Sequence, residues 1–384
     1  MRRPALAACL LLAVALAISA PAAQQLSRAD DQPVFRLSVT LVQLDAVVTD
    51  KRGRHVTTLG PDDFEVYQDG RPQPVVAVDY VETEDNWVDT SGLSPLPVDA
   101  LKPADARRVV VVVVDDLRMS FESVYRARQG ISRFLDRHFA PGDLGMIMTT
   151  SGAGLSQLSY SPAVLKAAAS RLRYSLFNVQ AASALAPVDD ILDTPDENFL
   201  ERTFAESSIR RIADAIAAVR EIPGRKSVVL VSEGFTVFGA GMDNAAIRDL
   251  LRGLVDRSNR AGVVIYGLDP RGLVPTGITA ADNVRGGGAG IIARRAMALR
   301  DSQDGLRYVS GETGGFAVVD SNDIALGFGR IMADQRGYYL IGYQPEAGTV
   351  HPKSDQQYKR LKIKVKPKGL KIRTRAGFYA RATE

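Results

Sequence analysis

The chain has 384 residues, 46% of them hydrophobic and 24% charged, with a formal net charge of +4. This globular composition excludes a disordered, fibrous or collagen-like protein and leaves room for about two to three domains. A single cysteine, Cys9, and three scattered histidines, His55, His138 and His351, exclude a disulfide framework, a Cys-type zinc centre and a His-rich metal site.

Arg2 and Arg3 precede an almost unbroken apolar run over residues 5–18, and Ala20-Pro21-Ala22 supplies small residues before the polar stretch from Gln24. This layout predicts a cleaved secretory signal peptide over residues 1–23. The run falls short of the roughly 20 apolar residues of a spanning helix, although an uncleaved anchor is the alternative. Leu6-Ala7-Ala8-Cys9 has the look of a lipoprotein box but comes too early in the run. Cleavage near residue 22 removes Cys9. No later segment is long and apolar enough to span a membrane, so the mature chain is expected outside the cytoplasm: periplasmic, on the outer surface or secreted.

Residues 35–49 read as a strand rich in β-branched side chains, and Asp50-Lys51-Arg52-Gly53 as a turn. Phe64-Glu65-Val66-Tyr67 is a second strand, and Asp69-Gly70 signals a hairpin leading into residues 75–80. Residues 33–82 thus form a small N-terminal β region, marginal on its own. Residues 83–106 turn rich in Pro, Asp and Ser and read as a linker that holds the single tryptophan, Trp87.

Six consecutive valines, Val109 to Val114, then open a different pattern. A strand this apolar has to be covered on both faces, as in a parallel sheet flanked by helices. A helix follows with Val124, Ala127, Ile131, Phe134 and Leu135 on one face, and residues 144–148 form the next strand. Ile209, Ile212, Ile216 and Val219 mark another helix, ended by Pro223-Gly224. Residues 228–231 give a central strand, Ile247, Leu250, Leu251 and Leu254 a helix, residues 263–266 a buried strand, and residues 316–319 the last. Strands alternating with helices over residues 107–336 predict a doubly wound, mostly parallel α/β domain. Gly286-Gly287-Gly288-Ala289-Gly290 lacks the Lys-Ser/Thr of a P-loop and reads as a surface loop.

Residues 337–384 return to a β pattern and are expected to pair with the N-terminal β region in a small β-sandwich. Residues 351–384 carry a net +9, leaving the mature body at about −7. Lys362, Lys364 and Lys366 alternate with Leu361, Ile363 and Val365, the pattern of an edge strand with one wet face. No aromatic residues interleave with the lysines to stack bases, so nucleic acid is not an expected partner.

In open α/β sheets, sites form at the carboxyl ends of the strands. Asp115 and Asp116 follow the first strand there, Thr149, Thr150 and Ser151 the second, Ser232 and Glu233 the third, and Asp269 the fourth. These are hard oxygen donors suited to Mg²⁺ or Ca²⁺, or simply polar residues where strands leave a core. The adjacent acids Asp115-Asp116-Leu117 do not fit an Asp-x-Asp phosphatase, no G-x-S-x-G elbow occurs, and only His138 of the three histidines lies in this domain. No arrangement supports a catalytic mechanism.

As a set, several short segments resemble the secreted von Willebrand factor A-related proteins of the acidobacterial type. They are residues 109–123, Pro141-Gly142-Asp143-Leu144, residues 223–235, residues 266–273, Thr313-Gly314-Gly315, residues 338–343 and Arg375-Ala376-Gly377-Phe378-Tyr379, with Val47-Val48-Thr49-Asp50 and residues 62–66 in the β region. The resemblance implies a von Willebrand factor A-type domain, normally a protein-binding module. Its usual metal-ion-dependent adhesion site is Asp-x-Ser-x-Ser, a threonine before a middle helix and a late aspartate. Here the site is degenerate. With Asp115 first, Leu117 and Met119 replace both serines; with Asp116 first, Arg118 and Ser120 stand there. The threonine place falls near Ser207 or Ser208, and Glu233 holds the late aspartate place.

The candidate metal residues are therefore Asp115, Asp116, Ser120 and Glu233, flanked by a ligand face of Arg118, Thr149 and Ser208. No cofactor is expected, and Mg²⁺ or Ca²⁺ is expected to bind weakly if at all, with Arg118 neutralising Asp115 and Glu233 in its place. The expected function is a non-enzymatic protein-interaction module of adhesion type, with unidentified protein partners. The alternatives are a structural envelope scaffold whose tip face is vestigial, and a divalent-metal-dependent hydrolase.

Overall fold

The six valines lie in β5 (Arg108–Val114), every residue of which is buried. In a computed structural model, which describes residues 41–83, 106–154, 156–174, 195–235, 245–278, 288–345 and 358–379, this strand sits inside a five-stranded sheet. The other members are β6 (Asp143–Thr149), β7 (Arg225–Val231), β8 (Val263–Leu268) and β9 (Ala317–Val318), all parallel, in the order β6-β5-β7-β8-β9. Successive side chains of a strand face opposite ways, and the valines divide accordingly. Val109, Val111 and Val113 pack with α3 (Pro195–Val219), α4 (Ala245–Ala261) and α5 (Gly288–Glu312). Val110, Val112 and Val114 pack with α1 (Phe121–Arg137), α2 (Pro162–Ser170) and α6 (Ile324–Asp334). Each buried valine contributes roughly 1.5–3 kcal/mol, which makes this strand the keel of a doubly wound α/β layer. The chain leaves β5 toward β6 on one side and later returns to β7 on the other. The switch point, where such sheets open a crevice, therefore lies between β5 and β7.

Two four-stranded antiparallel sheets form the second layer. One has the order β12-β1-β10-β4 and the other β13-β11-β2-β3. Their strands are β1 (Val42–Thr49), β2 (Phe64–Gln68), β3 (Arg71–Gln73), β4 (Val75–Glu82), β10 (Gly337–Tyr343), β11 (Tyr358–Val365), β12 (Lys371–Thr374) and β13 (Gly377–Tyr379). Both ends of the described chain thus feed one core, in which Leu44, Val66, Tyr339, Tyr343 and Ile363 meet. The buried phenols are hydrogen-bonded, Tyr343 to Gln68 Oε1 at 2.7 Å and Tyr339 to the Val56 carbonyl at 2.8 Å.

Four local expectations change. The glycine run is not a loop where it is described: α5 starts at Gly288. Glycine weakens a helix by about 1 kcal/mol per residue, but here it occupies the first turn, while Leu306 and Val309 bury the far end. Helices α2, α5 and α6 are absent from the expected elements, and all three cover the sheet. The hairpin at Asp69-Gly70, both with positive φ, returns into the short β3, and β4 crosses to the other sheet to pair with β10. Strand β11 is not an edge along its whole length: Tyr358, Lys359 and Arg360 pair with β13, and the lysine-bearing half pairs with β2. Its exposed lysines do alternate with buried Leu361 and Ile363. The expected signal peptide and nearly all of the expected linker, with Trp87, lie outside the described residues, as does the part of the first expected strand before residue 41.

Candidate functional site at the strand tips

The backbone of β5 runs one step past its last valine, with Asp115 N donating to the Val231 carbonyl at 2.9 Å. That step drives the Asp115 carboxylate into the switch point, where it is 0% exposed. Three hydroxyls meet it. Thr150 Oγ1 and Ser208 Oγ donate to Oδ1 at 2.9 and 2.6 Å, and Ser232 Oγ donates to Oδ2 at 2.7 Å. They come from the end of β6, the middle of α3 and the end of β7. Burial pushes the Asp115 carboxyl above its usual range; the positive charge of Arg118 and the three hydroxyl bonds oppose that rise.

Asp116, also buried, closes the β6 turn. Its Oδ1 accepts from Ser151 N at 2.8 Å and its Oδ2 from Ser151 Oγ at 2.5 Å, and Thr150 Oγ1 lies 3.2 Å from Oδ1. The single Thr150 proton is thus shared between the two aspartates. Ser120 is the N-cap of α1, its Oγ accepting from Ser123 N at 3.2 Å, a standard use of serine at that place. Its own N–H donates to Glu233 Oε1 at 2.7 Å. Arg118 Nε donates to the Gly234 carbonyl at 3.3 Å, and the guanidinium lies over the Phe235 ring. Gly234 has φ +94°, and a Cβ there would stand 1.9 Å from the Ser302 carbonyl oxygen, so this turn requires glycine.

The structure joins Asp115 to Asp116 through Thr150 and bonds Ser208 directly to Asp115. It joins Ser120 to Glu233 as a second pair. Thr149 Oγ1 accepts from Gly154 N at 2.9 Å, inside the β6 turn, and lies 3.2 Å from Ser151 Oγ. β6 ends at Thr149, and Thr150, the first residue past the strand, reaches the aspartates. Thr150, Ser151 and Ser232 are functional neighbours that the motif comparison passed over, though their places at strand ends are a visible signal. Asp269 is held by Arg271, whose Nη2 is 2.7 Å from Oδ2, and by Gln303 Nε2 at 3.1 Å.

The donor set does not fit a divalent cation as it stands. Octahedral oxygen coordination needs several free oxygens converging on one point. Here the Asp115 oxygens are taken by three hydroxyls, Asp116 by Ser151, and Glu233 by a backbone N–H. Leu117 and Met119, in the two serine places, are buried apolar side chains. Among the described residues no group of three or more His, Cys, Asp or Glu side chains is placed to hold a metal ion. Arg118 acts on Asp115 through its field, while the direct bonds to that carboxylate come from hydroxyls.

A doubly wound parallel α/β sheet with helices on both faces, joined to two antiparallel sheets that share one core, is the class of protein this fold defines. Among solved structures the chain is similar to an aerotolerance-related membrane protein from Bacteroides fragilis NCTC 9343, at 12% identity and TM-score 0.29, over 59% of this chain and 98% of that one. It is similar to the conserved hypothetical protein BatB from Bacteroides thetaiotaomicron at 12% identity and TM-score 0.29, over 59% and 96%. It is also similar to the open conformation of the pilus adhesin SpaC from Lactobacillus rhamnosus GG, at 11% identity and TM-score 0.32, over 84% and 48%. No protein-family model matches the chain, and no curated protein matches it. Among the described residues no helix is long and apolar enough to cross a membrane.

Proposed function

We propose that this chain is an exported, non-enzymatic protein-interaction module of adhesion type, in which the metal site of a von Willebrand factor A-like domain has become a closed carboxylate–hydroxyl cluster. The observation that carries the reading is the surface beside that cluster. Phe121 at the start of α1, Leu273 in the turn after β8 and Leu326 at the start of α6 are 70, 63 and 60% exposed. All three lie at the carboxyl end of the sheet. The turn holding Leu273 is tied to the other two elements, since Leu273 N donates to Asn322 Oδ1 at 2.9 Å and Arg126 of α1 donates to the Arg271 carbonyl. Large apolar side chains held out to solvent on one end of a sheet favour a protein partner over a polar small molecule. The start of α1, which presents Phe121, is fixed by the Ser120 N–H bond to Glu233.

The described histidines support a binding role over catalysis by their position. His55 lies beside Tyr80 in the sandwich, 3.3 Å from its hydroxyl, and His138 caps the far end of α1. Capture from envelope extracts with mature protein, compared with Phe121→Ser and Leu273→Ser, tests the reading. Loss of the same captured protein in both folded variants is the expected result. Capture undiminished in both moves binding to the sandwich and favours the scaffold alternative.

A further inference from the structure

At the opposite, amino end of the parallel sheet, where it meets the sandwich, a cavity of about 460 Å³ is lined by Arg225 and Lys226 at the start of β7 and by Arg373 and Arg375 at the end of β12. Among the described residues lining it, one carboxylate, Asp45 of β1, faces these four cations. Asp45 Oδ2 is 3.5 Å from Arg225 Nη1. Arg373 has an ion-pair partner in buried Asp334. The other two cations are fixed by neutral acceptors: Arg375 donates to the Asn259 and Gln43 carbonyls at 3.1 and 2.8 Å, and Lys226 to the Ile222 carbonyl at 2.9 Å. Carbonyls hold a cation in place without neutralising it.

The deficit of acceptors is visible atom by atom. The Nε–H groups of Arg225, Arg373 and Arg375 and the hydroxyl of Thr374 are buried without a hydrogen-bond partner, and all four residues line this cavity. Arg225 itself is only 5% exposed. An unsatisfied buried donor is costly, more so when charged, and four of them lie on residues around this one space. Burial depresses the pKa of Lys226, Arg373 and Arg375, and the charge of Arg225 adds to the effect on Arg373. For Lys226 and Arg375 the negative charge of Asp45 opposes that depression.

We propose that this cavity binds a tetrahedral oxyanion, phosphate or sulfate, either free or carried on a small molecule. Guanidinium groups present their N–H donors in a planar fork that matches phosphate oxygens, and three of them surround one space here. The volume falls within the range of about 300–1,000 Å³ typical of small-molecule sites, which leaves room for a carrier group beside the oxyanion. The Tyr338 ring, stacked under Arg225 at 4.8 Å, supplies an apolar wall. The inference does not depend on the binding role of the strand tips.

Calorimetric titration of the whole mature chain at constant ionic strength tests it, with inorganic phosphate, sulfate and glucose 6-phosphate as probes and chloride as the reference anion. The expected result is saturable one-to-one binding of at least one probe, absent with chloride, and weakened at least tenfold in both Arg225→Gln and Lys226→Gln. A preference for glucose 6-phosphate over phosphate assigns the carried form, and equal affinity the free ion; either supports the site. Circular dichroism establishes that each variant is folded, and Lys226→Gln decides the location if Arg225→Gln does not fold. No saturable binding of any probe, or undiminished binding in the folded variants, overturns the proposal.

Discussion

The hydroxyl of Ser208 donates a 2.6 Å hydrogen bond to a carboxylate oxygen of Asp115, 93 residues away in the chain and fully buried. This bond joins the middle of α3 to the tip of β5 across the switch point. A hydrogen bond to a charged group contributes about 1.5–3 kcal/mol, so Ser208→Ala is expected to destabilise the domain by about that amount in urea denaturation. In a double-mutant cycle with Asp115→Asn the two changes should be strongly non-additive. Additive effects would place Ser208 outside the cluster.

The pH dependence of stability follows from the raised pKa of Asp115, whose chief cause is burial. An acid whose pKa rises on folding holds its proton more tightly in the folded state. Its contribution is fully present below the unfolded carboxyl value, near 3.8, and is lost as pH rises through the folded value. Asp115→Asn removes that dependence. The stability difference between the native chain and Asp115→Asn should therefore move against the native chain as pH rises above about 4, measured by denaturation at a series of pH values. A constant difference across that series contradicts a raised pKa.

Adjacent threonines give a sharper test of the geometry. Thr150→Val removes the hydroxyl shared by Asp115 and Asp116, and is expected to cost about 1.5–3 kcal/mol. Thr149→Val removes an acceptor for Gly154 N within one turn, with an expected cost of about 0.5–1.5 kcal/mol. Thermal denaturation of the two variants side by side checks the order. The reverse order means that Thr149 is the residue reaching the aspartates.

The fold was largely legible because its central signal is extreme. Six valines admit no wet face, and their odd and even members go to two separate cores. The closing β pattern was equally readable from the alternation at Leu361 and Ile363. Helix α5 was not, since its glycine-rich start carries a turn signal and its apolar face emerges only near Leu306 and Val309. At the site, Asp115, Asp116 and Ser208 were found from strand ends and motif places. Thr150 and Ser232 stand among the strand-end oxygen donors that the sequence offers, but which neighbouring hydroxyl reaches Asp115 depends on which way a strand's last residues point, and that is set by the twist and register of the sheet.

Whether Asp115 is satisfied by hydroxyls or waits for a cation is decided most directly by isothermal titration of the protein with Mg²⁺, Mn²⁺ and Ca²⁺. The closed cluster of Thr150, Ser208 and Ser232 around that carboxylate predicts no saturable heat with any of the three ions. Stoichiometric binding that disappears in Asp115→Ala would contradict it.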